Sequence, residues 1–294
     1  MMEALPVAAP CSVIILGHNG VRFSRLCLES LLKAEPRPGE VIFVNNGSTD
    51  GTSQMLQEMK AIYDRQGVNL TILKNEKNEG CSLARNQAWE KARYPFVVFL
   101  DNDTVLCSRD LFGKLCRCLE ENSHVGAVSP KLIYPYLPHP IQCAGCDVNR
   151  FGRIEFRGRG AHRHNPEFTH TREVDLLISA CLATHTRFLD TFGGFDEYFH
   201  PVQYEDLDLC MKIRKLDRTC YYLADAELYH FEGITTESFG KEVYRRNILE
   251  QAYKFRKRWA QQLRKFPVRK TDYHWLEDHE LGLQQPLVLD LEVH

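Results

Sequence analysis

The sequence predicts an α/β fold in which a mostly parallel central sheet is flanked by helices. Short apolar runs alternate with segments whose apolar residues recur at helical spacing, and this alternation is typical of βαβ crossovers. One run, residues 96–100, is apolar without interruption, as expected for a strand buried on both faces. It ends in Asp101 and Asp103, at the sheet edge where ligands bind in open α/β proteins.

The first half of the chain repeats a unit of strand, polar loop and helix. Each of the first four expected strands is followed by a helix, and strands that alternate with helices of about ten to fifteen residues should run parallel. The predicted strands cover residues 12–16, 40–44, 69–73, 96–100 and 125–129. The predicted helices have apolar faces at Phe23, Leu26, Cys27 and Leu31, at Leu56, Met59 and Tyr63, and over residues 83–92 and 111–121.

Between residues 131 and 172 the composition changes and the regular strand and helix pattern is lost. Prolines and turn glycines interrupt this segment, and residues 150–160 predict a small hairpin. Basic side chains accumulate here, namely Arg153, Arg157, Arg159, His162, Arg163 and His164. The pattern leaves two interpretations: a flap that contacts a phosphate or an acceptor, or a solvated excursion on the surface.

Regular structure is expected to resume at residue 174. A short helix over residues 187–192 ends at Gly193 and Gly194 in a C-cap turn. Glu205 and Asp206 then stand at the N-terminus of a further helix. The remaining predicted elements are strands over residues 219–223 and 227–231, a basic amphipathic helix over residues 243–259 and an irregular polar tail.

Composition excludes some classes of partner and compartment. The 37 basic and 39 acidic residues nearly cancel, so no global field favours nucleic acid. No apolar run reaches the ~18 residues of a transmembrane segment. Eleven scattered cysteines without a signal peptide favour a reducing cytoplasm, with peripheral association at the inner membrane face left open.

Two alternatives remain for the cysteines. Cys143 and Cys146 form a CxxC pair with Cys116 and Cys118 upstream, which is compatible with a zinc site of unusual spacing. The other interpretation is that the thiols are free and pack as small hydrophobic groups.

The acids after the buried run also allow two interpretations. Asp101 and Asp103 supply hard oxygen ligands that can hold Mg²⁺ or Mn²⁺ against a phosphate. Alternatively, they are turn-forming acids that close a strand. Our working hypothesis is a metal-dependent nucleotide site.

Four stretches, in this order and spacing, resemble the inverting glycosyltransferases of family 2, which have the GT-A fold. They are VIILGHNG with VNNGSTDGT, then NEGCSLARNQA, then FLDNDT, and finally the run from SACLATHTRF through YEDLDL to YHFEG. The match extends from about residue 11 to residue 259 and is most similar to soluble transferases of O-antigen and rhamnosyltransferase type. The resemblance implies a Rossmann-like sheet with a smaller acceptor-side region.

The resemblance also implies roles for individual residues. The nucleotide-sugar donor, a UDP-, dTDP- or GDP-sugar, would be held by Leu16, His18, Asn19, Asn46, Arg85, Asp101 and Asn102. Mn²⁺ or Mg²⁺ would be bound by Asp103, Asp101 and His230, with Asp101 alternatively meeting the ribose. Two departures, Asn45 in place of an acid and His18 in place of a tyrosine, leave the nucleoside open.

Inversion requires a base on the face of the sugar opposite the leaving group, and the resemblance assigns that role to Asp206. Glu205 is the second catalytic candidate; it would steer acceptor hydroxyls or ligate metal. Taken alone, Asp206 is as typical of a helix cap, His230 of a satisfied core histidine and Arg85 of a surface ion pair.

These expectations divide the chain into three parts. Residues 1–10 form a flexible lead-in, and residues 11–242 form the catalytic domain. Within it, residues 11–130 bind the nucleotide sugar and residues 131–242 form the acceptor and catalytic half. Residues 243–294 form a helical extension and tail.

The expected reaction is the transfer of one sugar per encounter to a glycan, lipid-linked or protein acceptor. Processive members of the family carry QxxRW and membrane helices, whereas Phe255 here replaces the glutamine before Arg258 and Trp259. Two alternatives are a sugar-phosphate nucleotidylyltransferase, whose glycine-rich first loop is missing, and a non-catalytic nucleotide-sugar-binding subunit.

Overall fold

A ten-stranded sheet forms the centre of the fold in the computed structural model, which describes residues 8–233, 241–268 and 291–294. In chain order, its strands and those of a separate hairpin, β8 with β9, are β1 (Ala9–Gly17), β2 (Pro38–Asn46), β3 (Asn69–Asn75), β4 (Phe96–Asp101), β5 (Thr104–Leu106), β6 (Val125–Ile133), β7 (Ile141–Cys143), β8 (Cys146–Val148), β9 (Ile154–Phe156), β10 (Arg172–Val174), β11 (Cys181–His185) and β12 (Thr219–His230). The sheet order is β10-β12-β6-β11-β4-β1-β2-β3, with β5 beside β12 and β7 beside β6.

Helices cover this sheet, so the predicted α/β class is confirmed. The described helices are α1 (Val21–Leu31), α2 (Thr52–Arg65), α3 (Cys81–Trp89), α4 (Leu111–Glu121), α5 (Thr186–Phe192), α6 (Glu205–Lys215), α7 (Lys241–Arg258) and α8 (Ala260–Leu263). Helix α3 begins two residues before its predicted start and ends three before its predicted end. Both shifts are ordinary for helix termini read from sequence.

The strands of the first half run parallel, as predicted. Strand β1 lies between β2 and β4, with Leu16 opposite both Val44 and Asp101. Because parallel strands end at one edge, the loops after β1, β2 and β4 meet there. Strand β4 is fully buried up to Leu100, and Asp101 is the first residue of the strand that reaches the cleft side.

The second half adds antiparallel strands and corrects one prediction. Strand β11 runs antiparallel between β4 and β6, and β12 runs parallel to β6. The two strands predicted over residues 219–223 and 227–231 are one strand, β12. Its register against β6 shifts between Leu223 and Glu227, which explains the interruption in the sequence pattern.

The segment over residues 131–172 is packed, so the prediction of a solvated excursion is wrong for most of it. The hairpin pairs Cys146–Val148 with Ile154–Phe156 and so begins earlier than predicted. Arg157 and Arg159 form ion pairs with Asp147 at 3.1 Å and with Glu232 at 2.8 Å. Arg163 pairs with Glu227, whereas Arg153, His162 and His164 are exposed.

The eleven cysteines are all free thiols, and ten are buried. The sulfur atoms of Cys143 and Cys146 lie 3.8 Å apart. Within the described residues no third metal-ligating side chain joins them, since the one such cluster is formed by Asp101, Asp103 and His230. The zinc interpretation is therefore not supported, and the thiols pack as small apolar groups.

The C-terminal part begins with the predicted amphipathic helix, now α7, which buries Ile248 and Phe255. No helix in the described parts of the chain has the length and hydropathy needed to cross a bilayer. The predicted irregular tail lies outside the described residues except at its end, where the His294 N–H donates to the Cys107 carbonyl at 2.7 Å. Most of the predicted lead-in is likewise outside them, although Ala9 already belongs to β1.

Candidate active site

A cleft of about 330 Å³ opens at the edge where β1, β2 and β4 end. Ten of the eleven residues predicted for the site line it: Leu16, His18, Asn46, Arg85, Asp101, Asn102, Asp103, Glu205, Asp206 and His230. The loop after β10 and the segment before α6 close the other side with Ile178, Ser179 and residues 200–203. The predicted residues, although distant in sequence, share one concave surface.

Asn19 is the predicted residue that does not line the cleft. Its backbone N–H donates to the Ser48 hydroxyl at 2.8 Å, and its side-chain oxygen accepts from the Thr49 N–H at 2.8 Å. Its φ of 61° lies in the left-handed region, which asparagine tolerates better than most residues. Asn19 therefore joins the loop after β1 to the loop after β2.

His18 and Asn46 line the cleft, and their hydrogen bonds also join neighbouring loops to one another. The His18 ring contacts the Asn46 carbonyl through Nδ1 at 2.8 Å. The Asn46 amide oxygen accepts from Asn75 and from the Glu79 N–H, and its nitrogen donates to Asn78 at 3.0 Å. The Asn46 side chain thus fixes the loop positions and leaves the His18 ring edge facing the cleft.

Gly47 permits the close approach of these loops. A Cβ atom at this position would lie 2.4 Å from the Lys77 carbonyl carbon, and the φ of +73° is itself unfavourable for other residues. Asn102 is likewise structural: its amide donates to Ser24 Oγ at 2.7 Å and to the Asn19 carbonyl at 3.1 Å. It ties the end of β4 to α1.

Asp101, Asp103 and His230 form what we call the metal corner. One ligand atom from each residue lies within 4.8 Å of the others, and His230 Nε2 is 3.2 Å from Asp103 Oδ1 and 3.9 Å from Asp101 Oδ2. His230 is placed there by the pairing of β12 with β5, in which it lies opposite Thr104. Two carboxylates and one imidazole suit a divalent cation such as Mn²⁺.

The His230 ring is oriented from behind by Gln142, which sequence analysis did not identify. His230 Nδ1 lies 2.8 Å from Gln142 Oε1, and Gln142 is fully buried. An amide oxygen accepts a hydrogen bond, so it keeps a proton on Nδ1; Nε2 then faces the carboxylates, and in the neutral ring it presents its lone pair to them. Burial lowers the pKa of His230, but Asp103 and Asp101 outweigh burial and raise it to about 9.

Arg85 links the two sides of the cleft. Its guanidinium donates to Asp101 Oδ1 at 2.9 Å and to Glu205 Oε1 at 2.8 Å. It is only 3% exposed, so the interpretation as a surface ion pair is wrong. Burial disfavours its charge, but the neighbouring Cys81 thiol and the carboxylates of Asp101 and Glu205 raise the pKa of Arg85 overall.

Glu205, Asp206 and Ser179 form what we call the base corner. Helix α6 starts at Glu205, and its N-cap is Tyr204 in the left-handed conformation, without a side-chain cap. Asp206 is therefore not the capping residue. Its Oδ2 accepts from the Ser179 N–H at 2.9 Å and hydroxyl at 3.3 Å, and its Oδ1 accepts from the Leu207 N–H at 2.8 Å.

The Glu205 carboxylate is only partly satisfied. It is 3% exposed, and its Oε2 has no hydrogen-bond partner among the described residues. Burial, with a contribution from Asp206, raises the pKa of Glu205 to about 7, although Arg85 acts in the opposite direction. Near neutral pH this group can therefore either donate or accept a hydrogen bond.

Contacts between α6 and the C-terminal end of α7 hold α6 in place. The fully buried Asp208 accepts from the Trp259 indole N–H at 2.9 Å and from Arg258 at 3.2 Å. The Arg-Trp pair therefore anchors the helix that carries Asp206. Sequence analysis had compared this pair with processive synthases and had not predicted the contact.

Glu232 completes the cleft on the side of β12. Arg159 and the Tyr134 hydroxyl bind its carboxylate at 2.8 and 2.7 Å. Burial alone would raise the pKa of Glu232, but Arg159 lowers it to about 2, so the side chain stays charged. Its position two residues after His230, in YHFEG, is the signal in the sequence that could have identified it.

Comparisons with known proteins agree with this fold. Residues 12–139 match the family model Glycosyl transferase family 2. The mannosyltransferase PcManGT from Pyrobaculum calidifontis, solved with GDP-Man and Mn²⁺, superposes with a TM-score of 0.62 at 19% identity, over 86% of this chain and 65% of that one. S. aureus TarS in complex with UDP gives 0.54 at 25% identity, over 81% and 64%.

The matches to curated relatives cover only part of each relative's length. It is 26% identical over 239 residues to the uncharacterized protein y4gI of Sinorhizobium fredii, which covers 79% of this chain and 25% of that protein. The chain thus spans about a quarter of the length of this relative. The resemblance to the family 2 glycosyltransferases and the GT-A fold are confirmed.

Proposed function

Because this chain carries a family 2 glycosyltransferase region within a GT-A fold, we propose that it is a metal-dependent inverting glycosyltransferase that adds one sugar per encounter. The proposal rests on one observation: two clusters of acidic side chains, with different partners, lie in the same cleft. The metal corner lies on one side and the base corner on the other, and Arg85 contacts an acid of each.

The metal corner supplies a donor set that fits a divalent cation. Its two carboxylates and one imidazole nitrogen favour Mn²⁺ over Mg²⁺, which prefers oxygen ligands only. When bound there, the cation would offset the negative charge that grows on the departing nucleoside diphosphate. Arg85 adds a fixed positive charge on the same side, held by Asp101 and Glu205.

Asp206 is the proposed general base. The acceptor hydroxyl passes its proton to an Asp206 carboxylate oxygen while the hydroxyl oxygen attacks the anomeric carbon. The bond between that carbon and the phosphate oxygen breaks, and its electron pair leaves with the diphosphate. Ser179 and the Leu207 N–H hold the carboxylate in a fixed orientation, and attack from this side inverts the anomeric centre.

The donor nucleoside would lie against Leu16 and His18, at the loops after β1 and β2. One similar structure contains GDP-Man and another UDP, so UDP-, dTDP- and GDP-sugars all remain candidates. The acceptor, a glycan, a lipid-linked sugar or a protein, would enter past Phe156, Ile178 and Tyr244 on the opposite wall.

A donor panel tests the proposal. The protein is incubated with Mn²⁺ and UDP-, GDP- and dTDP-sugars, and release of nucleoside diphosphate is followed with and without EDTA. Slow hydrolysis of one donor that EDTA stops supports a metal-dependent transferase. Formation of NTP from pyrophosphate and a nucleotide sugar would indicate a nucleotidylyltransferase, and binding without turnover would indicate a non-catalytic subunit.

A further inference from the structure

The solvent-facing side of α7 combines cationic and large apolar side chains. Six such residues are exposed at positions that recur with helical spacing: Arg245, Arg246, Leu249, Tyr253, Arg256 and Lys257. The same helix also exposes two acids, Glu242 and Glu250, and Glu250 is paired with Lys254 at 3.0 Å. Leu249 is 60% and Tyr253 is 61% exposed. Residues 241–268 contain nine Lys and Arg against two Glu, whereas the whole chain has a formal charge of −2.

The turn between β8 and β9 extends this face. Arg150, Phe151 and Arg153 are exposed on it, and Phe151 is 58% exposed. The turn packs on the helical extension: a Cβ at Gly152 would lie 2.5 Å from Arg256 Cγ, and the Arg150 N–H donates to the Pro267 carbonyl at 3.1 Å.

Exposed apolar side chains concentrate here. Eight large hydrophobic residues are exposed in the described parts of the chain. Five of them belong to α7, to the turn, or to the segment that the turn contacts: Phe151, Val243, Leu249, Tyr253 and Val268. Large apolar residues that remain exposed among many cations are typical of a contact surface.

The opposite side of α7 is tied to the cleft. Asn247 and Gln251 donate to the carbonyls of Val202 and His200 at 2.9 and 3.0 Å, and Gln203 donates to the Tyr244 hydroxyl at 3.0 Å. Residues 200–203 and Tyr244 line the cleft. The basic-apolar face and the cleft therefore belong to two sides of one helix.

We propose that the face formed by α7 and the β8–β9 turn binds an anionic phospholipid bilayer. Arg and Lys side chains attract the anionic headgroups, and Phe151, Leu249 and Tyr253 enter the boundary between headgroups and acyl chains. The apolar groups are dispersed among the cations along a convex helix surface. This arrangement fits a fluid, laterally continuous anionic surface better than the pocket of a protein partner.

This orientation would place the cleft next to the bilayer. Given the proposed function, this orientation favours an acceptor that is carried by a membrane lipid. Such an acceptor would reach the cleft from the bilayer plane in which α7 lies. The helix would act as a fixed spacer, since its inner side already holds the loop that lines the cleft.

Vesicle sedimentation tests the proposal. The full chain is mixed with vesicles of phosphatidylcholine alone and with vesicles containing equal amounts of phosphatidylglycerol. We expect binding to the second and not to the first, and a loss on the order of tenfold or more in Arg245→Glu/Arg246→Glu. A matched control, Lys33→Glu/Lys91→Glu, changes the charge by the same amount at two exposed positions in the first third of the chain. It should bind like the parent.

A second variant tests the apolar contribution. Leu249→Ala/Tyr253→Ala keeps all charges and should weaken binding to the anionic vesicles at high salt, where electrostatic attraction is screened. No binding by the parent, equal binding to both vesicle types, or equal losses in both charge-reversed variants would overturn the proposal. UDP and Mn²⁺ binding without vesicles is measured for every variant, so failure of the proposed function is seen separately.

Discussion

The two corners of the cleft both contain buried acids, yet their charges are balanced in different ways. In the base corner the chain itself supplies the partners: Asp206 accepts three hydrogen bonds, and Glu205 pairs with Arg85. In the metal corner the Asp103 carboxylate contacts His230 and no other charged side chain of the described residues. In the base corner only Glu205 Oε2 lacks a partner, whereas the metal corner requires a proton on His230 or an added cation to balance Asp103.

This difference fits a separate role for each corner, a general base in one and a cation site in the other. A carboxylate held by fixed hydrogen bonds keeps its position whether or not ligands are present, which is useful for a base that must face the acceptor. A group of acids with few internal partners gains most from an external cation. Asp101 belongs to both, since Oδ1 contacts Arg85 and Oδ2 faces His230 at 3.9 Å.

Asp206→Asn should separate the roles of the two corners most clearly, because it should lower the rate of transfer without changing ligand binding. The amide keeps the shape and most contacts of the side chain but cannot accept the acceptor proton. We expect kcat to fall about 10³-fold, within the range of general base catalysis, while donor and Mn²⁺ affinity stay close to the parent values. Steady-state transfer assays and calorimetry with UDP and Mn²⁺ measure both quantities. Transfer within a few-fold of the parent would remove the base assignment.

Arg85→Gln breaks the connection between the corners. It leaves the buried Glu205 and the partly exposed Asp101 without their cation, and loss of one partner of a buried pair such as Arg85–Glu205 costs about 3–5 kcal/mol. We therefore expect a clear fall in the free energy of unfolding, measured in urea. Arg25→Gln, which removes an exposed pair with Glu58, is the matched control and should change the free energy of unfolding little, because solvent screens exposed pairs. Equal losses would mean that the Arg85 bridge is not a buried ion pair in solution.

The sequence predicted one class of feature well. Residues that end a strand of a parallel sheet reach one edge whatever the remaining packing, so Leu16, Asn46 and Asp101 could be grouped from strand order alone. Asp206 and His230 were grouped with them only through the family resemblance. Nothing local in the sequence shows that β12 pairs with β5 beside Asp103.

The residues that escaped prediction all act through long-range contacts. Gln142 meets His230 across 88 residues, Ser179 meets Asp206 across 27, and Trp259 meets Asp208 across 51. Ser179 and Trp259 do lie in stretches that sequence analysis singled out, SACLATHTRF and the Arg-Trp pair, but those stretches do not identify the residues that they contact. Such contacts are fixed by tertiary packing, so a single sequence contains no signal for them.

In the metal corner, Asp103→Ala removes a carboxylate that has few other partners. We expect the affinity for Mn²⁺ to fall at least about 100-fold, since loss of groups behind the ligands already costs 10–100-fold. Donor binding should then no longer respond to Mn²⁺. Calorimetric titration of Mn²⁺ with and without UDP measures this effect. Unchanged Mn²⁺ affinity would show that Asp103 is not a ligand.

Gln142→Leu asks whether the metal corner depends on the orientation of His230. Leucine fills a similar volume but cannot accept the Nδ1 proton, so the ring loses its preferred tautomer and the Nε2 lone pair is no longer held toward Asp103. We expect Mn²⁺ affinity to fall about tenfold, with the Asp206-dependent step intact at saturating Mn²⁺. Gln142→Glu retains an acceptor at the same place and should restore most of the affinity. If both variants bind Mn²⁺ like the parent in a paramagnetic resonance titration, Gln142 only fills space and the metal corner is held by its three ligands alone.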